Sequence, residues 1–99
     1  MKTLKLTYYT DPGHGWLAVN RADLEALGIA HLISRYSYQR AGRVYLEEDC
    51  DMHQFIYAAK SAGWNVTYNE THQDPTPIRD FDQYRPGTPT TGQQPLTLD

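Results

Sequence analysis

Cysteine is nearly absent: Cys50 stands alone in 99 residues, so no disulfide can form within the chain. No stretch approaches the roughly 20 apolar residues that a membrane helix needs. The opening Met-Lys-Thr-Leu-Lys-Leu-Thr-Tyr-Tyr also lacks the apolar run of a secretion signal. These absences predict a reduced protein of the cytoplasm without membrane contact, and they make the glycosylation patterns at Asn65 and Asn69 coincidental. Positive charge is scarce as well. Nine Lys and Arg against twelve Asp and Glu leave a net charge of −3, which gives no general attraction to nucleic acid or anionic lipid.

What is present is a small folded domain. Hydrophobic residues make up 39% of the chain, and eight of its twelve aromatic residues are tyrosines, whose hydroxyls suit half-exposed strand faces. Five of the six prolines lie between positions 75 and 95, which leaves about 70 residues to build a core. The expected organisation is one α+β domain over residues 1–72 and a proline-rich tail over residues 73–99, partly docked or disordered.

Residues 3 to 10 alternate, with Leu4, Leu6 and Tyr8 on one side, and predict a half-buried strand. Asp11-Pro12-Gly13-His14-Gly15 breaks pairing and turns the chain into a short apolar strand at Trp16 to Val19. Asn20 has the chemistry of an N-cap for a helix of about two turns, with Leu24 and Leu27 as its apolar edge and Gly28 as its stop. Tyr36 to Arg40 and Arg43 to Glu47 flank Ala41-Gly42 as a tight hairpin, with Val44 and Leu46 inward and Arg43, Tyr45 and Glu47 outward. Asp49 or Asp51 then caps a second helix, in which Met52, Phe55, Ile56, Ala59 and Ala62 recur at helical spacing. Gly63 ends it, and Trp64, Val66 and Tyr68 begin a last strand. The order ββαββαβ predicts an antiparallel or mixed sheet of about five strands with two helices on one face. Without its first strand the order becomes βαββαβ, as in ferredoxin-like domains. In the tail, Ile78, Phe81 and Tyr84 are spaced by three, as in an amphipathic turn that docks, and the last dozen residues are expected to be disordered.

Residues 35 to 51 swing from arginine and tyrosine to carboxylate. Arg35, Tyr36, Tyr38, Arg40, Arg43 and Tyr45 combine rings that can stack with guanidinium groups that can grip phosphate. Glu47, Glu48, Asp49 and Asp51 form an acidic patch suited to a basic protein surface. Ordinary cross-strand ion pairing between the two sets is the competing expectation. His14, between two glycines, can approach a ligand closely, and His72 and Arg79 are secondary ligand candidates. Cys50 and His53 have the spacing of half a zinc site, which His14, His72 or Asp11 would have to complete, so neither a metal nor a cofactor is expected. The carboxylates around Cys50 raise a thiol pKa, which argues against a nucleophilic cysteine.

Tyr-Tyr-Thr-Asp-Pro-Gly-His-Gly-Trp-Leu at 8 to 17 and Ser-Tyr-Gln-Arg-Ala-Gly-Arg-Val-Tyr-Leu-Glu-Glu-Asp-Cys-Asp at 37 to 51 resemble small proteins encoded by bacteriophages and mobile elements. The likeness covers roughly residues 4 to 72, with an echo at Ile78-Arg79. It implies a phage setting in the host cytoplasm and no particular chemistry. A non-catalytic accessory protein that binds and antagonises a host factor, such as a CRISPR or nucleotide-signalling defence, is the leading expectation. The alternatives are a binder of nucleotides or single-stranded nucleic acid acting as a signal sponge, and a cysteine or metal enzyme. Exposed edge strands also leave room for a homodimer.

Overall fold

The computed structural model describes residues 2–87, so the expectation for the last dozen residues lies outside the described part. The chain runs β1 (Thr3–Thr10), β2 (Gly15–Asn20), α1 (Arg21–Ala26), a 3₁₀ turn (Ala30–Leu32), β3 (Tyr38–Arg40) and β4 (Arg43–Glu47). It continues with α2 (Met52–Ser61), β5 (Asn65–His72), a second 3₁₀ turn (Pro77–Asp80) and β6 (Asp82–Gln83). The result is an α+β domain with a six-stranded mixed sheet in the order β5-β1-β2-β4-β3-β6. Every pair is antiparallel except β1 with β5.

Alternation in the strands sorts the side chains onto two faces. Leu17 and Val19 of β2 and Val44 and Leu46 of β4 fill one face and meet Leu24 of α1 and Met52 and Phe55 of α2 in a single buried cluster. Each such apolar side chain contributes about 1.5–3 kcal/mol on full burial. Gly63 ends α2 with a positive φ of 81°, and the N–H of Trp64 donates to the Ala59 carbonyl at 2.9 Å, as an αL stop requires. The caps differ from expectation. Neither Asn20 nor Asp51 makes a side-chain cap hydrogen bond. The Asp51 carboxylate is drawn away by better donors, namely the N–H and hydroxyl of Ser34 and the hydroxyl of Ser37.

Two features lay beyond the pattern of the strands. The βαββαβ order is present, but β1 is inserted between β5 and β2, the strands that would otherwise pair. Part of the stretch assigned to the tail docks at Ile78, Phe81 and Tyr84, as their spacing predicts, and goes further by adding a strand. Residues 77 to 81 cross the second face of the sheet, where Ile78 is 2% exposed and Phe81 packs on Tyr45 with ring centroids 5.1 Å apart. The chain then adds β6 to β3, and Tyr84 enters the core at 1% exposure, its hydroxyl donating to the Ala30 carbonyl. Among the described residues, no helix is long and apolar enough to cross a membrane.

Candidate functional site

The second face of the sheet carries an open cleft of about 320 Å³ lined by His14, Trp16, Tyr36, Tyr38, Glu47, Asp49, Cys50 and Arg79. Its floor follows from strand parity. Leu17 faces the helices, so Trp16 must face the other way, directly beside its β4 partner Glu47. Trp16 is only 1% exposed because Tyr38 meets it edge-on, with centroids 6.2 Å apart, and the Arg79 guanidinium lies 5.1 Å from its ring centre. Its indole nitrogen is buried without a hydrogen-bond partner.

One wall is the turn between β1 and β2. Asp11 Oδ1 accepts from the N–H groups of Gly13 and His14 at 2.9 and 2.8 Å, closing the turn locally. The same carboxylate takes Arg79 through Nε at 2.6 Å and Nη2 at 3.1 Å, a two-point pair. Arg79 holds the Asp11 carboxyl far below the usual carboxylate range, assisted by the two backbone N–H groups. On the helix side of the same turn, away from the cleft, Gly15 is needed because a Cβ would sit 2.2 Å from the hydroxyl of Tyr8, which packs with Leu17 against the main core. With that space clear, Tyr8 crosses the strand and donates to Glu48 Oε1 at 2.5 Å. Desolvation, then this hydrogen bond to Glu48, raises the phenol well above its ordinary value, so it remains a donor.

The opposite wall is set by Asp51. Its bonds to Ser34 and Ser37 pin the loop that carries Tyr36, and the Ser37 hydroxyl in turn accepts the Glu47 N–H at 2.9 Å. Glu47 Oε1 accepts from the N–H groups of Asp49 and Cys50, both at 2.9 Å, and its Oε2 lies 3.4 Å from His14 Nδ1. No family model, curated protein or solved structure matches this chain. The chemistry of the cleft therefore rests on its own side chains.

Of the residues singled out from the sequence, Tyr36, Tyr38, Glu47, Asp49, His14 and Arg79 meet in this cleft. The remainder go elsewhere. Arg40 stacks on Phe81 at 5.0 Å, and Tyr45 lies between Tyr9 and Phe81 under the crossing segment. His72 pairs with the Thr10 hydroxyl at the sheet end. Arg35 and Arg43 are exposed and line no part of the cleft. Two expectations are corrected. Asp51 is 2% exposed and bonded to serines, so it offers no surface to a partner, and Glu47 is 7% exposed where the hairpin parity suggested an outward side chain. Moreover, among the described residues no ion pair joins Arg35, Arg40 or Arg43 to Glu47, Glu48, Asp49 or Asp51. Strand direction separates them: Arg40 and Arg43 face each other at the turn, one strand length from Glu47.

Trp16 and Cys50 were not among the sequence candidates for binding. The signal for Trp16 was available, because a tryptophan beside Leu17 in an alternating strand must cover a second buried surface. The Cys50 thiol is pushed up by desolvation, by a hydrogen bond to Glu47 and by the charges of Glu47, Asp51 and Asp49. A thiol so placed stays protonated and is a poor nucleophile. His14, Glu47, Glu48 and Asp49 bring ligand-type atoms within 4.8 Å of one another, close enough among the described residues for a metal ion to be held there.

Proposed function

We propose that this protein is a stoichiometric, non-catalytic binder that engages a partner protein through the cleft over Trp16. The observation that carries the reading is the composition of the cleft. Aromatic rings from Trp16, Tyr36 and Tyr38 stand beside the carboxylates of Glu47 and Asp49, around a thiol whose pKa is raised. Rigid aromatic anchors in a concave, partly desolvated site are what concentrates binding energy at protein interfaces. In the setting that the likeness to phage and mobile-element proteins implies, the partner is a host defence protein of the cytoplasm, and binding antagonises it in the manner of an anti-CRISPR.

The ring set also favours a second reading, in which a nucleotide base stacks between Tyr36 and Tyr38. The charges weigh against it, because Glu47 and Asp49 repel phosphate and Arg79 is already paired with Asp11.

Affinity capture from host lysate with the wild-type chain and with Tyr36→Ala tests the proposal. Tyr36 is 62% exposed, so its truncation leaves the fold intact. Capture of one identified protein that is lost in Tyr36→Ala and kept in Tyr57→Ala, on the exposed side of α2, is the expected result. Equal capture by both variants removes the cleft as the interface. Co-purification of a nucleotide with the wild-type chain favours the second reading.

A further inference from the structure

We infer that the cleft receives the guanidinium of an arginine side chain presented by the partner, a claim that rests on the protein-binding reading above. The cleft already contains one arginine contact of this kind, made within the chain. Arg79 lies against the Trp16 ring at 5.1 Å and pairs through two nitrogens with the Asp11 carboxylate. A planar cation that stacks on a ring and forks onto a carboxylate is the favoured geometry for guanidinium.

A second set of the same composition remains on the other side of the cleft. Tyr36 is 62% exposed and makes no ring contact among the described residues, and Tyr38 turns an edge to Trp16. Beside them, among the described residues no hydrogen bond or ion pair engages the Asp49 side chain, and the Glu47 carboxylate, which the Cys50 thiol also meets, holds Oε2 3.4 Å from His14 Nδ1. Charge complementarity points the same way. Arg79, the one Lys or Arg among the described residues that line the cleft, is neutralised by Asp11, so Glu47 and Asp49 give the site a negative field. A cation over a tyrosine face gains from the ring quadrupole, and more so where carboxylates at the rim are partly screened from water. An ammonium would satisfy the charge but not the flat stacking surface, which selects arginine over lysine.

Titration of the full-length protein with N-acetyl-arginine amide, followed by ¹H–¹⁵N NMR in EDTA, tests the assignment. The expected result is shifts at Tyr36, Tyr38, Asp49 and the Trp16 indole N–H with millimolar affinity. N-acetyl-lysine amide should be weaker, and the neutral isostere N-acetyl-citrulline amide silent. Tyr36→Ala and Asp49→Asn should each weaken binding between about twofold and fivefold. Silence toward the arginine amide, an equal response to lysine or citrulline, a requirement for a divalent cation, or unchanged affinity in both variants overturns the inference. So do shifts at the same residues produced by adenosine monophosphate in place of the arginine amide. If Tyr36→Ala abolishes partner capture while the arginine amide is silent, the arginine assignment fails and the protein-binding reading stands.

Discussion

Asp11 joins three parts of the chain that are remote in sequence: its own turn, the Trp16 floor and the crossing segment that carries Arg79. Because its folded pKa is depressed, its contribution to stability is complete above the usual carboxylate pKa and is lost as the pH falls through the folded value. A double-mutant cycle of Asp11→Asn and Arg79→Ala, measured by urea denaturation, should show favourable coupling at neutral pH. That coupling should shrink steadily as the solution is acidified below pH about 4. Absence of coupling at neutral pH would show that Arg79 acts through Trp16 alone. The sequence read Asp11 as a turn residue and as one that could complete a zinc site, since nothing in Asp-Pro-Gly-His-Gly signals a partner 68 positions away.

At the scale of the element, the β3–β4 hairpin is the part most legible beforehand. Ala41 and Gly42 have φ values of 49° and 80°, two consecutive left-handed residues as a two-residue hairpin turn requires. Alanine pays a steric cost there that asparagine does not. Ala41→Asn should therefore raise stability by about 0.5–1 kcal/mol, seen as a higher urea midpoint at unchanged slope. A lower midpoint would mean that the turn relaxes out of this geometry. The hairpin also shows the limit of pattern reading. Alternation put Arg43, Tyr45 and Glu47 on the outward face, but it gave no hint that this face is covered at Glu47, and so it took Glu47 for a solvent residue.

Across the whole molecule the sheet is packed on both sides, against α1 and α2 on one and, over Trp16 and Tyr45, against residues 77 to 81 on the other. Tyr84 then passes back into the main core, with the Arg21 guanidinium 4.9 Å from its ring centre. Gln39, fully buried, shows how tightly this end is tied: its Oε1 accepts from Arg21 Nη1 and from the Arg85 N–H, both at 3.0 Å. Losing an aromatic side chain so buried costs about 3–5 kcal/mol, close to the whole stability of about 5 kcal/mol expected for a domain this small. The fragment 1–72 should therefore lose cooperative thermal unfolding, and Tyr84→Ala in the full chain should melt far below the parent. A fragment 1–72 that melts cooperatively near the parent temperature would show that the crossing segment is an accessory.

Local chemistry was enough to determine the first five strands, both helices, the glycine that ends α2 and the turn at Ala41-Gly42, because periodicity and backbone sterics act within a few residues. Tertiary structure alone decided that β1 separates β5 from β2, that the docked segment adds β6 and sends Tyr84 into the main core, and that His14, Trp16, Tyr36, Tyr38, Glu47, Asp49, Cys50 and Arg79 form one cleft. Those outcomes depend on which buried surfaces remain to be covered once the sheet is assembled, and no window of sequence contains that information.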